Sequence, residues 1–426
     1  MMVFGIFLVL LALICINVPI AVALAVAAVV GLLVTEGANS LVTVALDMYD
    51  GSTKFSLIAI PMFVLAGAVM NAGGITDRLI NFVSALIGFV RGGLSMVNIG
   101  VSLFFAEISG SAVADVAALG SVMIPQMKKR GYPAPLAAAV TSSSASLAII
   151  IPPSIPMIVY GVSANASVEE LFVAGVVPGL IGAAGLMCVA YAFACKYNLP
   201  TEEAFNTKRL KASFIDALPT FLLPVIILGG IFGGFVTATE AAGLAVLASI
   251  GLSAYYKEVN FKRLRVAMLE GGMQTAVVML LVASSVLMGG FLTRAQVPQE
   301  LAQSMMDLTD NKYVILAILN IFFLVIGFFL HSVAAIILVV PIVIPLITLV
   351  GIDPVHFGLI VTLNLAIGQQ TPPVASVLIT SCSIAKANIW DVSKVNVYFV
   401  AVLLVVLMLC TYVPAVPMTL VEYFYR

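Results

Sequence analysis

Two proline pairs carry the first chemical signal in this chain. Ile151-Pro152-Pro153-Ser154 returns 220 positions later as Thr371-Pro372-Pro373-Val374, and each pair interrupts a long apolar stretch. The surroundings keep the spacing: Ile124-Pro125 matches Ile344-Pro345, and Gly131 matches Gly351. Proline removes a backbone donor and clashes with the preceding turn, so an apolar helix breaks there. In lipid the freed carbonyls persist only where protein, ion or water satisfies them. Uncharged polar groups gather near both breaks. The first half offers Ser109 and Ser111, then Thr141, Ser142, Ser143, Ser144 and Ser146. The second offers Gly327, His331 and Ser332, then Thr362, Asn364, Gln369, Gln370 and Thr371. Hydroxyls and freed carbonyls are hard oxygen donors that suit a monovalent cation such as sodium. The C-terminal end of a half-helix turns its negative dipole toward such an ion. The N-terminal end presents free N–H groups to an anion.

Ionisable groups inside apolar stretches are few, and in a membrane they are functional by default. Glu107 and Asp115 flank Ser109-Gly110-Ser111 and read either as polar pairing groups or as proton carriers. Glu240 reads as the start of a helix capped by Thr237 or Thr239. His331 reads either as a hydrogen-bonding residue or as a substrate contact. Ser142 to Ser146 read either as packing groups that bond a neighbouring turn or as ligands.

The elements that must position these groups are membrane helices. The 426 residues are 62% hydrophobic and 9% charged, with mean hydropathy +1.19. Soluble chains carry about 25% charged residues. The apolar runs are far longer than the roughly ten-residue strands of a membrane barrel. The chain is therefore expected to be an all-α polytopic membrane protein. Five cysteines without a metal or CxxC spacing read as small apolar residues. The N-terminus has no basic region before its apolar run and reads as retained spans, not a signal peptide. No GxxxxGK[ST], HExxH or GxSxG occurs, so neither ATP chemistry nor a hydrolase is indicated. No basic surface for nucleic acid is present.

Two apolar runs, 94–125 and 312–346, are too long for single spans and carry Ser109-Gly110-Ser111 and Gly327 to Ser332 at their middles. Each reads as a helical hairpin entering and leaving on one side, or as two short spans. The broken helices are 133–160 and 355–385. The first 34 residues make either one kinked helix or a tight pair around Asn17-Val18-Pro19. Basic clusters at Lys128-Lys129-Arg130, at Lys208-Arg209-Lys211 and at Lys257, Lys262, Arg263 and Arg265 go to the cytoplasm by the positive-inside rule. Of the 19 Lys and Arg, only Lys54, Arg294, Lys312 and Arg426 then fall outside. An odd number of crossings separates Gly131 from Gly351, so the repeats are inverted. The predicted organisation is a first repeat over 1–200, a cytoplasmic linker over 201–213 and a second repeat over 214–426. Amphipathic segments from Thr76 toward Arg91 and from Val297 to Lys312 read as surface helices, the second equally well as a loop. Trp390, Tyr398, Tyr412, Tyr423 and Tyr425 read as interface anchors.

These features together resemble the large membrane subunit of a tripartite ATP-independent periplasmic (TRAP) transporter. The resemblance rests on Ile60 to Gly67, Ser109 to Asp115, Ile151 to Ser154, Thr237 to Ala242 and Gln370 to Val374. The sequence is most similar to the sialic-acid branch. The resemblance implies a sodium-driven importer of an organic acid anion in a bacterial inner membrane. A periplasmic substrate-binding protein would deliver the anion, and a small four-helix membrane subunit would pair with this chain. Hairpins and broken helices would move as an elevator against a scaffold. Two sodium sites follow by motif: Ser109 and Ser111 with backbone oxygens near Ala148, Ile151 and Pro153, and Gly327 with Gly368, Thr371 and Pro373. Substrate would lie between them, with Ser154, His331 and Ser332 as contacts. With no small-subunit sequence before Met1, the chain reads as a separate large subunit. Binding protein would dock on the outer face, where Arg294, Gln296, Gln299 and Glu300 are candidate contacts. The alternatives are a sodium symporter of dicarboxylate type that needs no binding protein, a TRAP system for C4-dicarboxylates, and, from another class, an intramembrane enzyme or a channel.

Overall fold

The structure is a computed structural model that describes residues 2–426 apart from 17, 202–203, 259–260 and 374. Within its helices the side chains of 2–4, 11, 15, 107–109, 261, 263, 267 and 270 are also outside the described set. Asn17 and Val374, and the side chains of Cys15, Glu107, Ser109 and Arg263, therefore lie outside the described residues. The described chain is helical from end to end. Eight of its described helical stretches are long and apolar enough to cross a membrane.

The first 36 residues form a pair of helices, Met2–Cys15 and Ile20–Glu36, not one kinked helix. Pro19 begins the second helix, and Ile6 and Leu10 pack with Ala23, Leu24, Ala27 and Ala28. A helix at Leu41–Ser52 follows that the hydropathy pattern did not mark. Its Gly51 lies so close to Val286 that a Cβ would sit 2.7 Å from that side chain. Asp47 pairs with Arg294 at 3.0 Å. Both amphipathic segments are helices, Ile75–Ile87 and Val297–Leu308. Helix Thr207–Ala217 already starts inside the expected linker, because Asn206 caps it by accepting from Lys208 and Arg209 N–H. Thr237 and Glu240 form a reciprocal capping box at the head of Ala238–Tyr255, which is the role expected of Glu240.

The first hairpin has arms Gly93–Ser109 and Ala112–Lys129; the second has Lys312–Phe329 and Ser332–Leu349. The first broken helix is Ala134–Ala145, a 3-10 turn Ser146–Ile149, and Ile155–Ala164. The second is Pro354–Gly368 and Ser376–Ala385. Both Pro152–Pro153 and Pro372–Pro373 are cis. Each hairpin turns at the level of a break, while the broken helix beside it runs on for ten more residues. Both open ends of each hairpin thus lie on the same side of its break.

Long-range contacts sort the loop ends into two groups. At one end Lys128 Nζ donates to Ala385 O at 2.7 Å, and Arg78 pairs with Glu258. At the other, Tyr160 Oη donates to Pro354 O at 2.8 Å, Lys54 Nζ reaches Val162 O at 3.4 Å, and Arg426 joins Glu170 to Asp353. Lys128 precedes Gly131 and Pro354 follows Gly351, and the first broken helix runs from one group to the other. The second arm of each hairpin packs against the second half of the other repeat's broken helix.

Candidate functional site

Each hairpin tip rests on a break by close backbone contact. At the first, Ile155 N–H donates to Gly110 O at 3.4 Å. Gly110 has φ +58, and a Cβ there would lie 3.0 Å from Pro153 O. Glycine is needed for both the left-handed turn and the approach. This places the Ser109–Ser111 turn on Pro153, with Ala148 and Ile151 buried alongside. At the second, a Cβ on Gly368 would lie 2.6 Å from the Cα of Gly327. Thr371 stands one turn on; its N–H donates to Gly368 O and its hydroxyl to Ile367 O, both at 3.0 Å. Pro373 is exposed. The residues expected to hold sodium thus form two clusters, one at each tip. Their oxygens are of the kind that ion takes: backbone carbonyls, and the Thr371 hydroxyl, which keeps lone pairs after donating to Ile367 O. Ser109 contributes its backbone position only, since its side chain is outside the described residues.

The polar residues between tips and breaks are mostly ties between helices. Asn98 Nδ2 donates to Thr141 Oγ1 at 2.6 Å and Ser102 Oγ to Ser144 Oγ at 2.9 Å. The second repeat has the corresponding tie, Asn364 Nδ2 to Asn320 Oδ1 at 2.7 Å. Asn396 joins the two broken helices: its Oδ1 accepts from Ser143 Oγ at 2.8 Å and its Nδ2 donates to Gln370 O at 3.1 Å. Thr141, Ser143 and Ser144 are therefore packing groups in this fold, since buried polar groups find partners where they pack. Ser154 is also internal: its hydroxyl donates to Ile149 O at 2.7 Å and accepts from Met157 N–H as a helix cap. It does not line the cavity described next.

A cavity of about 570 Å³ lies between the tips. Its walls are Gly110 to Ala114 of the first tip and His331 to Ala334 of the second. Ile149, Ile155 and Pro156 come from the first break and Gln369 from the second. Met273, Gln274, Val277 and Leu281, on the long helix Phe261–Arg294, close the opposite side. The size is ordinary for a small organic ligand. Of the expected substrate contacts, His331 and Ser332 line this cavity. Gln369, which sequence reasoning noticed only as one of several polar residues at the break, lines it too.

The cavity holds no Lys, Arg, Asp or Glu among its described lining residues. What its wall can offer an anion is backbone. The first intrahelical bonds of the two second arms are Asp115 N–H to Ser111 O and Ala335 N–H to His331 O, both 3.0 Å. The N–H groups of 112–114 and 332–334 precede those ladders, and helix starts leave such donors unused. Two 18-residue helices point them into one space, where their dipoles favour negative charge.

Comparison with known proteins accords with this arrangement. Residues 7–416 match the family described as the tripartite ATP-independent periplasmic transporter, DctM component. The chain is 39% identical over 405 residues to the isethionate TRAP transporter permease protein DctMQ of Oleidesulfovibrio alaskensis, covering 95% of this chain but only 64% of that protein's length. It is 37% identical to the C4-dicarboxylate TRAP transporter large permease protein DctM of Pseudomonas aeruginosa, covering 90% of each. It is 40% identical over 337 residues to the sialic acid TRAP transporter large permease protein SiaM of Vibrio cholerae, covering 78% of each. Among solved structures, the YdaH transporter of Alcanivorax borkumensis superposes with a TM-score of 0.64 at 13% identity, covering 89% of each chain, a likeness of fold alone. Permease relatives along almost the whole chain, together with the eight apolar spans, make this a multi-pass transporter subunit of a bacterial inner membrane and not an enzyme: it belongs to the family of TRAP transporter DctM components.

Proposed function

We propose that the chain is the large permease subunit of a sodium-coupled importer of an organic acid anion, with sialic acid (N-acetylneuraminate) as the substrate. The observation that carries this reading is the cavity itself. Both hairpin tips, both breaks and the long helix Phe261–Arg294 border one space that has polar backbone donors but no charged lining among the described residues. An anion held there lies between two clusters of oxygen donors, so bound sodium would offset its charge. Sialic acid is supported by the Vibrio cholerae relative; the Pseudomonas aeruginosa relative supports a C4-dicarboxylate as the second reading.

The mechanism is an elevator in which the hairpins and broken helices of two inverted repeats, 1–200 and 214–426, move together against a scaffold. The crossed packing of each hairpin on the other repeat's broken helix supports the inversion, and the two groups of loop ends support it again. The end of the long helix, from Leu287 to Leu292, forms a separate apolar core with the first two helices. Leu338 and Ile342 of the second hairpin pack against its edge, so this core is the surface against which a moving domain would slide. The partners are a small four-helix membrane subunit and a periplasmic substrate-binding protein.

Uptake into proteoliposomes tests the whole reading. Radiolabelled N-acetylneuraminate should accumulate only with an inward sodium gradient, the small subunit and a loaded binding protein. Uptake by this chain alone without binding protein would sink the tripartite reading. Uptake indifferent to sodium would sink the coupling.

A further inference from the structure

The two breaks present different chemistry at one repeat position. At the 220-residue offset Ile149 corresponds to Gln369, and both line the cavity. Gln369 is 2% exposed, and both amide atoms, Nε2 and Oε1, are buried without a hydrogen-bond partner. Its backbone is engaged: its N–H donates to Leu365 O at 3.1 Å and its carbonyl accepts from Val377 N–H at 3.2 Å. The main chain therefore holds the residue at the cavity wall while the amide stays unused. The adjacent Gln370 is half engaged, turning its Nε2 back to Ala366 O at 3.5 Å while its Oε1 is unpaired. A buried amide with neither donor nor acceptor paired is costly to the fold, and each such group in a native structure asks for a reason.

We propose that Gln369 is a specificity residue that reads a hydroxyl or amide group of the transported anion, so that the cavity prefers a hydroxylated monocarboxylate to a plain dicarboxylate. This rests on the transport reading above and narrows its substrate class. A hydroxyl both donates and accepts, so it can pair with Oε1 and Nε2 together. A second ionised carboxylate only accepts, so it can pair with Nε2 but leaves Oε1 without a donor. The first carboxylate meets the two helix starts at Ala112 and Ser332. A second would find no Lys or Arg among the described lining residues, and a buried charge without a partner is strongly disfavoured. Ile149, at the equivalent position of the other break, offers only an apolar surface, so the pair also orients the ligand.

The test uses the purified full chain with its small membrane subunit in lipid nanodiscs with sodium, titrated with N-acetylneuraminate or succinate, so that no binding protein selects the ligand first. The unaltered protein should bind N-acetylneuraminate at least about tenfold tighter than succinate, the scale expected of a pair of neutral hydrogen bonds. Gln369→Met keeps the length and removes both hydrogen-bonding atoms; it should erase most of that ratio without tightening succinate. Gln369→Asn keeps both groups one methylene back and should retain part of the ratio. It also carries the comparison if the Met variant melts early. A ratio unchanged in both variants overturns the assignment alone, whereas preference for succinate in the unaltered protein overturns the assignment and the sialic-acid reading together. Binding of neither probe by the unaltered protein overturns the cavity as the substrate site, and this assignment falls with it.

Discussion

Gly368→Ala is the sharpest perturbation of the second tip. A Cβ on Gly368 would sit 2.6 Å from both the Cα and the carbonyl carbon of Gly327 and 2.9 Å from its oxygen. Ordinary carbon–carbon contacts are about 3.5–4.0 Å, so relief requires tip and break to separate by about 1 Å. The clashing atoms are backbone, so no change of rotamer can provide it. Overpacking of this kind costs about 1–3 kcal/mol. If that cost falls on the closed, ion-holding arrangement, the sodium concentration for half-maximal uptake should rise roughly 5- to 150-fold. The assay is uptake against sodium in proteoliposomes, with melting temperatures taken with and without sodium. Gly182→Ala is the matched control, because its Cβ would meet nothing closer than Leu147 Cδ2 at 3.4 Å. Unchanged sodium dependence in Gly368→Ala would refute the claim that close approach of Gly327 and Gly368 builds an ion site.

Three further outcomes are expected. Thr371→Val keeps the shape but removes the hydroxyl that bonds Ile367 O; sodium dependence should weaken and Thr371→Ser should restore it, whereas equal behaviour of all three proteins would remove Thr371 from the site. Ser154→Ala removes a helix cap and a bond to Ile149 O, so stability should fall by about 1 kcal/mol while substrate preference, read by competition, stays put. Burial pushes the Asp353 carboxyl up, but Arg426 and the amides of His356 and Val355 outweigh this and hold it below its usual value. A lowered folded-state pKa stabilises the fold above the unfolded carboxylate range, and that contribution is lost as pH falls through the folded value. Arg426→Ala should therefore flatten the decline in melting temperature between about pH 5 and pH 2; superimposable profiles would show that the pair does not set the acid limb.

Much of the architecture was legible without coordinates. A 220-residue offset between two proline pairs, read with the basic clusters, located both broken helices and both hairpins. These signals are local and strong, because lipid punishes every misplaced charge and every unpaired backbone group. The capping box at Thr237 and Glu240 was legible for the same reason, being a pattern within four residues. The helix Leu41–Ser52 was not legible. It is anchored by Gly51 against Val286 and by Asp47 on Arg294, both more than two hundred residues away in sequence.

The sequence by itself determined the membrane class, the duplicated breaks, the hairpin tips and the set of residues able to offer oxygen ligands or free N–H groups. Only the tertiary structure decided what each of those polar groups does. Ser143, Ser144 and Gln369 look alike in sequence, as uncharged side chains beside a break. Packing gives Ser143 the amide of Asn396 and Ser144 the hydroxyl of Ser102, and leaves Gln369 at the cavity wall with its amide buried and unpaired. A polar residue in a membrane protein is structural when a neighbouring helix supplies its partner and functional when the partner must arrive with the ligand. The identity of that neighbour is a long-range fact, set by how the two repeats pack against each other.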